Sequence, residues 1–284
     1  MVSDSCKKRF GKIMMEEMEL VAQEEIAPRI YSMILKGEMV AQMLPGQFLH
    51  IRVPDGSKLL RRPISISEID PETQTCRLIY RIEGGGTAIF SQLPIGSKLS
   101  VMGPQGNGFD LTNLGQGQKV LIIGGGIGVP PLVQVAKQLH EQGVEVEVVV
   151  GFSTKEAVIL EEELSQVAHV TVTTDDGTYG TKGYVSTVID QMDQEFDAIY
   201  SCGAPGMLKY VNTKFHDHPR AYISMESRMA CGMGACYACV VHLENESQAA
   251  NKRVCEDGPV FETGTIVMQE DLMTANRLAV SLPG

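Results

Sequence analysis

Four cysteines near the carboxyl end, Cys231, Cys236, Cys239 and Cys255, carry the plainest chemistry in the chain. Four residues separate the first two, two separate the next, and fifteen precede the last. That is the plant-type spacing for a [2Fe–2S] cluster. Three thiolates on one tight loop must converge on two irons at metal–sulfur distances of about 2.3 Å, so the backbone has to wrap closely. Gly232, Gly234, Ala235 and Ala238 supply small residues, and N–H groups exposed there can donate to sulfur. The competing arrangement is one zinc held by four thiolates. Zinc sites favour two knuckles, each a close cysteine pair. Here only Cys236 and Cys239 form such a pair, and Cys255 has no cysteine neighbour. The spacing favours the two-iron cluster.

A second chemistry lies upstream. Gly124-Gly125-Gly126-Ile127-Gly128-Val129-Pro130-Pro131 follows the apolar run Val120–Ile123 and precedes a helical stretch through Leu139. Glycines let backbone approach a phosphate, and proline at a first helical position starts the helix. The G-x-G-x-x-G fingerprint fails because Val129 takes the last place, and a tight strand–helix turn without a ligand is the competing reading. Cys202-Gly203-Ala204-Pro205-Gly206-Met207 stands at the end of a fourth strand, the edge over which ligands bind in open parallel sheets. A third group is Arg62-Pro63-Ile64-Ser65, with Gly84-Gly85-Gly86-Thr87 reading as a loop into a helix N-terminus, where unpaired N–H groups suit a pyrophosphate.

Three zones must position these groups. Residues 14–113 show period-two stretches broken by Gly and Pro: Leu49, Ile51 and Val53 point one way, His50 and Arg52 the other, and Leu78, Tyr80 and Ile82 share a face. Such spacing predicts a small antiparallel barrel. Residues 114–225 alternate short apolar runs (Val120–Ile123, Val144–Val150, His169–Thr173, Ala198–Ser201, Ala221–Ser224) with helical stretches, one marked by Ala157, Leu160, Leu164 and Val167. That alternation predicts a doubly wound parallel sheet. Residues 226–284 are too few for a large core, which a metal centre would supplement. Residues 1–13 read as a loose leader. Lys7, Lys8 and Arg9 mimic a signal n-region, but Glu16, Glu17 and Glu19 interrupt the stretch from Ile13 to Val21, so no apolar h-region forms and a cytoplasmic protein is expected.

The bulk numbers narrow the classes. A net charge of −11 disfavours nucleic-acid and anionic-membrane partners. Seven cysteines, an odd count that adds Cys6, Cys76 and Cys202 to the four, argue against a disulfide framework. His216-Asp217-His218 reads as a solvated loop, Asp175-Asp176-Gly177 as a turn, and Met14, Met15 and Met18 as core or partner-facing residues.

Barrel, nucleotide sheet and four-cysteine segment, in that order, resemble the ferredoxin–NADP reductase superfamily. Within it the chain resembles the electron-transfer subunits of class 1B dihydroorotate dehydrogenase. Arg61-Arg62-Pro63-Ile64-Ser65-Ile66-Ser67, Arg228 through Cys239, and Val254-Cys255-Glu256-Asp257-Gly258-Pro259-Val260 carry the likeness. The resemblance implies an α+β multidomain oxidoreductase subunit with a flavin barrel, a nucleotide domain and a small [2Fe–2S] domain. It implies FAD, NAD(H) as substrate, and an FMN-containing catalytic subunit that binds orotate in a two-plus-two heterotetramer of pyrimidine biosynthesis. By match, Arg62 pairs with flavin phosphate, the Ser65 hydroxyl approaches the isoalloxazine, and Pro63 and Ile64 lie between them. Many relatives carry a stacking Tyr where Ile64 stands. Ile79, Tyr80, Arg81, Gly86 and Thr87 match further flavin contacts. Gly124, Gly126 and Gly128 match the dinucleotide turn, and Cys202 with Gly203 the nicotinamide side. Ser65 and Cys202 are then the residues at the reacting centre. Phe152-Ser153-Thr154-Lys155 offers no arginine cluster, favouring NAD over NADP. The rival readings are a reductase subunit serving ferredoxin, sulfide or an oxygenase, and a zinc-stabilised binding module or redox sensor without flavin. Sulfide-type relatives tend to carry Asp at the first cluster position, so Cys231 disfavours that branch.

Overall fold

The computed structural model describes residues 13–193, 195–244 and 251–268. The leader expected over residues 1–13 lies, except for Ile13, outside them, as do Cys6 and residues 269–284.

Six strands close a barrel: β1 (Met14–Ala27), β2 (Ile30–Lys36), β3 (Phe48–Ile51), β4 (Arg62–Asp70), β5 (Thr75–Arg81) and β6 (Lys98–Gln105), in the order β1-β2-β5-β4-β3-β6. Every pairing is antiparallel. Alternate residues fill the interior, among them Met18, Leu20, Met33, Leu35, Leu49, Ile51, Ile66, Leu78, Leu99 and Val101. A barrel of this size is packed by its own side chains, and closure leaves no free edge. Helix α1 (Gly85–Phe90) follows β5, and its Phe90 packs on the barrel core.

The second body is a seven-stranded sheet built from β7 (Lys119–Gly125), β8 (Glu145–Phe152), β9 (His169–Thr174), β10 (Thr181–Lys182), β11 (Ala198–Cys202), β12 (Ala221–Ser224) and β15 (Val260–Glu262). Their order is β10-β9-β8-β7-β11-β12-β15, parallel except for the last strand. In β7, Val120 and Ile122 face one core, while Leu121 and Ile123 face another. The first face is covered by Leu132, Val133, Val135 and Leu139 of α2 (Pro130–Glu141). The second takes Val185 and Ile189 of α4 (Val185–Ile189), with Leu208 and Val211 of α5 (Pro205–Lys214). Burial on both faces is why β7 reads as a continuous apolar run from Val120 to Ile123.

The helix expected over Ala157–Val167 is shorter than its stripe: α3 spans Glu161–Ser165. Leu160 takes a left-handed φ of 66° and breaks the helical path, and the helix begins at Glu161, Glu162 and Glu163, whose charges suit an N-terminus. Ala157, Leu160, Leu164 and Val167 still pack on the same core, through an irregular lead-in.

Among the described residues, the carboxyl-terminal segment has no private core. A hairpin of β13 (Val240–His242) and β14 (Asn251–Arg253) precedes β15, which extends the nucleotide sheet antiparallel to β12. Met229, Cys239, Val241, Val254, Cys255, Phe261 and Ile266 join the core containing Leu121 and Ile123. Barrel and sheet are also bolted together. Arg77 of β5 bridges Glu68 of β4 and Glu163 of α3 at 2.9 and 2.7 Å, Lys137 of α2 pairs with Glu68, and the Ile69 N–H donates to Gln134. Among the described residues no helix is long and apolar enough to cross a membrane.

Candidate functional site

Cys231 and Cys236 lie on the loop after β12, Cys239 immediately before β13, and Cys255 after β14. The turns need unusual backbone: Gly232, Gly234 and Tyr237 have φ of 69°, 76° and 57°, a region where a side chain is strained. The loop aims N–H groups at sulfur. Met233 donates to Cys231 Sγ at 3.4 Å, Gly234 to Cys255 Sγ at 3.1 Å, and Cys255 to Cys239 Sγ at 3.5 Å. The thiols influence one another in two neighbouring pairs, Cys231 with Cys236 and Cys239 with Cys255. Burial pulls the Cys231 thiol up, but the Met233 N–H and bonds from Cys236 and Ala235 outweigh it and bring it to about 7. Cys255 is pushed up to about 12, first by burial and then by the neighbouring Cys239, against the Gly234 N–H. Cys239 and Cys255 are buried, and Cys236 is exposed. Among the described residues no three His, Cys, Asp or Glu side chains gather tightly enough to hold one ion. Two thiol pairs ringed by N–H donors fit a two-iron cluster, which takes two protein thiolates per iron.

The barrel braces this loop from both sides. Asn107, just past β6, donates from Nδ2 to the Glu256 and Asp257 carbonyls at 3.2 and 3.0 Å, and its N–H bonds Gly258 O at 2.6 Å. Arg253 ties Asp257 at 2.9 Å and the Gly234 carbonyl at 3.0 Å, its guanidinium 5.5 Å from the Tyr237 ring centre. On the other side Gly232 rests against His50 and Gln105: a Cβ there would sit 2.8 Å from His50 Cε1 and 3.0 Å from Gln105 Oε1. The alternation of β3 puts His50 on the outward face with Arg52, yet the cluster loop covers it completely. Burial, aided by Arg61, pushes its imidazole down to about 4. The Arg61 carbonyl lies near the ring without completing a hydrogen bond, so both ring nitrogens stay unpartnered.

The Arg62–Ser65 motif opens β4, and Pro63 pairs with His50 and Ser65 with Phe48 across the ladder. Arg62 lies over the first turn of α1: a Cβ on Gly86 would meet its Nε at 2.6 Å, and one on Gly85 would meet Lys58 Cε at 3.3 Å. Two cations beside N–H groups make an anion cradle. Lys58 was invisible in the sequence, because it sits in a loop with no motif of its own. Thr87 Oγ1 accepts from the Glu83 and Gly84 N–H groups at 3.1 and 3.3 Å and shapes the turn. Ile64 packs into the barrel core. Tyr80 does too, its hydroxyl on Gln23 at 3.2 Å, while Ile79 faces the nucleotide-domain core. Arg81, exposed, pairs with Glu83 at 2.7 Å.

The glycines of the β7 turn divide their labour. A Cβ on Gly124 would strike Val129 Cγ2 at 2.8 Å and one on Gly128 the Gly203 backbone at 2.5 Å, so Gly124 serves packing of the turn on α2 and its lead-in, and Gly128 packing on Cys202-Gly203. Gly126, with φ of 52°, faces open space and is the one free to meet a ligand. Cys202 ends β11 in register with Gly124 and Ser224. It is buried, and that burial raises its thiol far above the ordinary range. Burial of this kind disfavours the thiolate that a nucleophile needs.

His216 bonds Asp217 and Glu244 at 2.6 and 3.2 Å, while His218 Nε2 bonds the Phe196 carbonyl at 2.9 Å; the two histidines face different partners. Asp176 caps a turn through Thr178. Met18 is buried and Met15 exposed.

Three family descriptions match in order along the chain: an oxidoreductase FAD-binding domain over residues 17–109, an oxidoreductase NAD-binding domain over 122–213, and an iron–sulfur cluster binding domain of dihydroorotate dehydrogenase B over 226–267. The chain is 68% identical over 256 residues to the electron transfer subunit of dihydroorotate dehydrogenase B (NAD(+)) of Streptococcus mutans, covering 90% of this chain and 99% of that one. Its counterpart in Geobacillus thermodenitrificans is 48% identical over 255 residues, covering 89% and 98%. A solved NADH-dependent reduced ferredoxin–NADP oxidoreductase superposes with a TM-score of 0.80 at 28% identity, over 91% of this chain and 92% of that one. The ferredoxin reductase of carbazole 1,9a-dioxygenase shares the fold, with a TM-score of 0.62 at 22% identity over 73% and 67%.

Proposed function

The chain belongs to the family of dihydroorotate dehydrogenase B electron transfer subunits, and from that premise we propose how its residues carry the transfer. It is an oxidoreductase component handling NAD(H), FAD and a [2Fe–2S] cluster for a catalytic subunit, in pyrimidine biosynthesis. We assign residues 14–113 to flavin, 114–225 to NAD(H) and 226–284 to the cluster.

Arg62 and Lys58, with the first N–H groups of α1, hold the flavin pyrophosphate, and Ser65 presents its hydroxyl to the ring. Pro63, Ile64, Ile79, Tyr80, Arg81, Gly86 and Thr87 shape that site, through backbone where the side chain is buried. Gly126 offers open backbone to the dinucleotide, Gly124 packs the turn on Val129 and Gly128 seats it on Gly203, and Cys202 closes the nicotinamide side as a packed thiol. Cys231, Cys236, Cys239 and Cys255 hold the irons. A bound flavin supplies the conversion between a hydride's electron pair and the single electrons a cluster accepts.

The observation that carries this reading is the brace around the four cysteines: both cysteine-bearing loops lean on the flavin-type barrel, through Gly232 and Asn107. Our reading extends to an FMN-bearing catalytic partner, a two-plus-two assembly and a cytoplasmic setting, the last supported by free thiols kept as ligands. The test is anaerobic reduction of the isolated, cofactor-loaded chain. NADH is expected to bleach the flavin, and dihydroorotate to do so only after the catalytic subunit is added. Bleaching by dihydroorotate alone overturns the division of labour.

A further inference from the structure

Among the described residues, five buried side-chain polar atoms make no hydrogen bond, and four of them sit on two neighbouring residues: Nδ1 and Nε2 of His50, and Nε2 and Oε1 of Gln105. Both side chains are buried, at 0% and 2% exposure. Buried polar groups in native folds are satisfied, so a cluster of orphans marks a place where something else completes them.

Their position says what that is. His50 is on β3 and Gln105 ends β6, the strands flanking each other on the barrel wall. β3 also pairs with β4, where His50 stands opposite Pro63 of the flavin motif. On the outer side both side chains press on Gly232, the residue after the first cluster cysteine. Gly232 itself does not satisfy them. The chemistry then matches: an imidazole N–H and an amide NH2 donate, while thiolate and bridging sulfide accept.

We propose that His50 and Gln105 are positioning residues for the cluster, barrel side chains whose N–H groups donate to the sulfur edge held by the Cys231–Cys236 loop. The inference rests on the cluster reading above. The pair joins the flavin strands to the electron exit by hydrogen bonds rather than by packing alone, and stabilises the more negative, reduced cluster. Loss of a donor therefore lowers the cluster's potential.

The test uses the full, cofactor-loaded chain with His50→Phe and Gln105→Met, which keep volume and remove donors, and His50→Asn, which restores an amide near the ring's place. Iron and acid-labile sulfide, the cluster's EPR signal and its midpoint potential in a dye-mediated titration are measured. The Phe and Met variants are expected to favour the oxidised cluster roughly threefold to tenfold, tenfold being about 59 mV for one electron. They should shift the EPR lines, with recovery in the Asn variant. Unchanged potential and EPR in both donor-free variants overturn the proposal, a trapped water or packing then being the explanation. So does a shift confined to the flavin, or loss of iron in all three variants. Absence of iron and labile sulfide from the wild-type chain is a different failure, that of the cluster reading itself.

Discussion

Gly232→Ala puts the close approach of cluster loop and barrel to a quantitative test. At φ of 69° an L side chain pays a left-handed backbone cost of about 1–2 kcal/mol. The new Cβ would also stand 2.8 Å from His50 Cε1, well inside the roughly 3.5–4.0 Å of an ordinary carbon contact. His50 is fully buried and its ring has nowhere to swing. Overpacking of that kind adds about 1–3 kcal/mol, for a total near 2–5 kcal/mol. Two neighbours calibrate the number. Gly234→Ala has the same backbone handicap at φ of 76°. Its Cβ meets the guanidinium end of Arg253 and, at 3.1 Å, Glu256 Cβ, side chains of part-buried residues that can shift by a few tenths of an ångström, so little beyond the backbone cost of about 1–2 kcal/mol is expected. Gly206→Ala, inside α5 with open space around its Cβ, is expected to stabilise by up to about 0.5–1 kcal/mol. Denaturant midpoints of the cluster-free chain, together with iron retained per chain after reconstitution, give the ranking. A Gly232→Ala chain as stable as wild type, or Gly234→Ala worse than Gly232→Ala, refutes the argument that barrel contact makes this glycine obligatory.

Three further outcomes rest on the same geometry. Arg77→Met leaves Glu68 and Glu163 facing each other without their shared cation; because both carboxylates are part-exposed, at 23% and 34%, the loss is about 1–3 kcal/mol rather than the full cost of breaking a buried pair. Burial alone would raise the Glu68 carboxyl, but bonds from Lys137 and Arg77 hold it below its ordinary 4.5. Its contribution is complete above that pH and fades as pH falls through the lowered native value, so acid unfolding curves of the Arg77→Met chain should be flatter in that range. In the iron-free chain iodoacetamide at mildly alkaline pH should label Cys231 and Cys236 first, and leave Cys76 and Cys202, both raised by burial, untouched until unfolding; labelling of Cys202 in the folded chain, read by mass spectrometry, would contradict its packed role. Cys231→Ser should lose iron and transfer to the partner while keeping flavin reduction by NADH, and loss of both would place the cluster before the flavin.

The legible and illegible parts of the chain differ for identifiable reasons. Strands β7, β8, β9, β11 and β12 showed in the sequence because packing on two faces keeps them rich in apolar residues, without a break in Val120 to Ile123 of β7. The four cysteines showed because three of them share one loop at a ligand spacing and Cys255 follows at a fixed distance along the chain. Helix α3 came out shorter because Leu160 takes a left-handed backbone, a local break that apolar periodicity does not record. His50 is the more instructive case. Its strand alternation correctly turned it away from the barrel interior, but whether an outward face meets water or another segment depends on residues almost two hundred positions later. Lys58 had no signal at all, since its role arises only when the loop before β4 folds over α1.

The same distant contacts settle how this cluster differs from one in a free carrier. A carrier needs a core of its own, whereas here the buried residues after Glu226 share theirs with Leu121, Ile123, Val149 and Ile199 of the sheet, and β15 completes that sheet's edge. Asn107 then fixes the Cys255 loop and Gly232 the Cys231 loop against the barrel. Neither loop can swing toward a distant acceptor without breaking strand pairing or buried hydrogen bonds. Transfer inside the chain is therefore set by a fixed scaffold, and, on the proposed function, the catalytic subunit has to come to the cluster. The loop's outer face, where Cys236, Met233 and Tyr237 remain exposed, is the side it can reach.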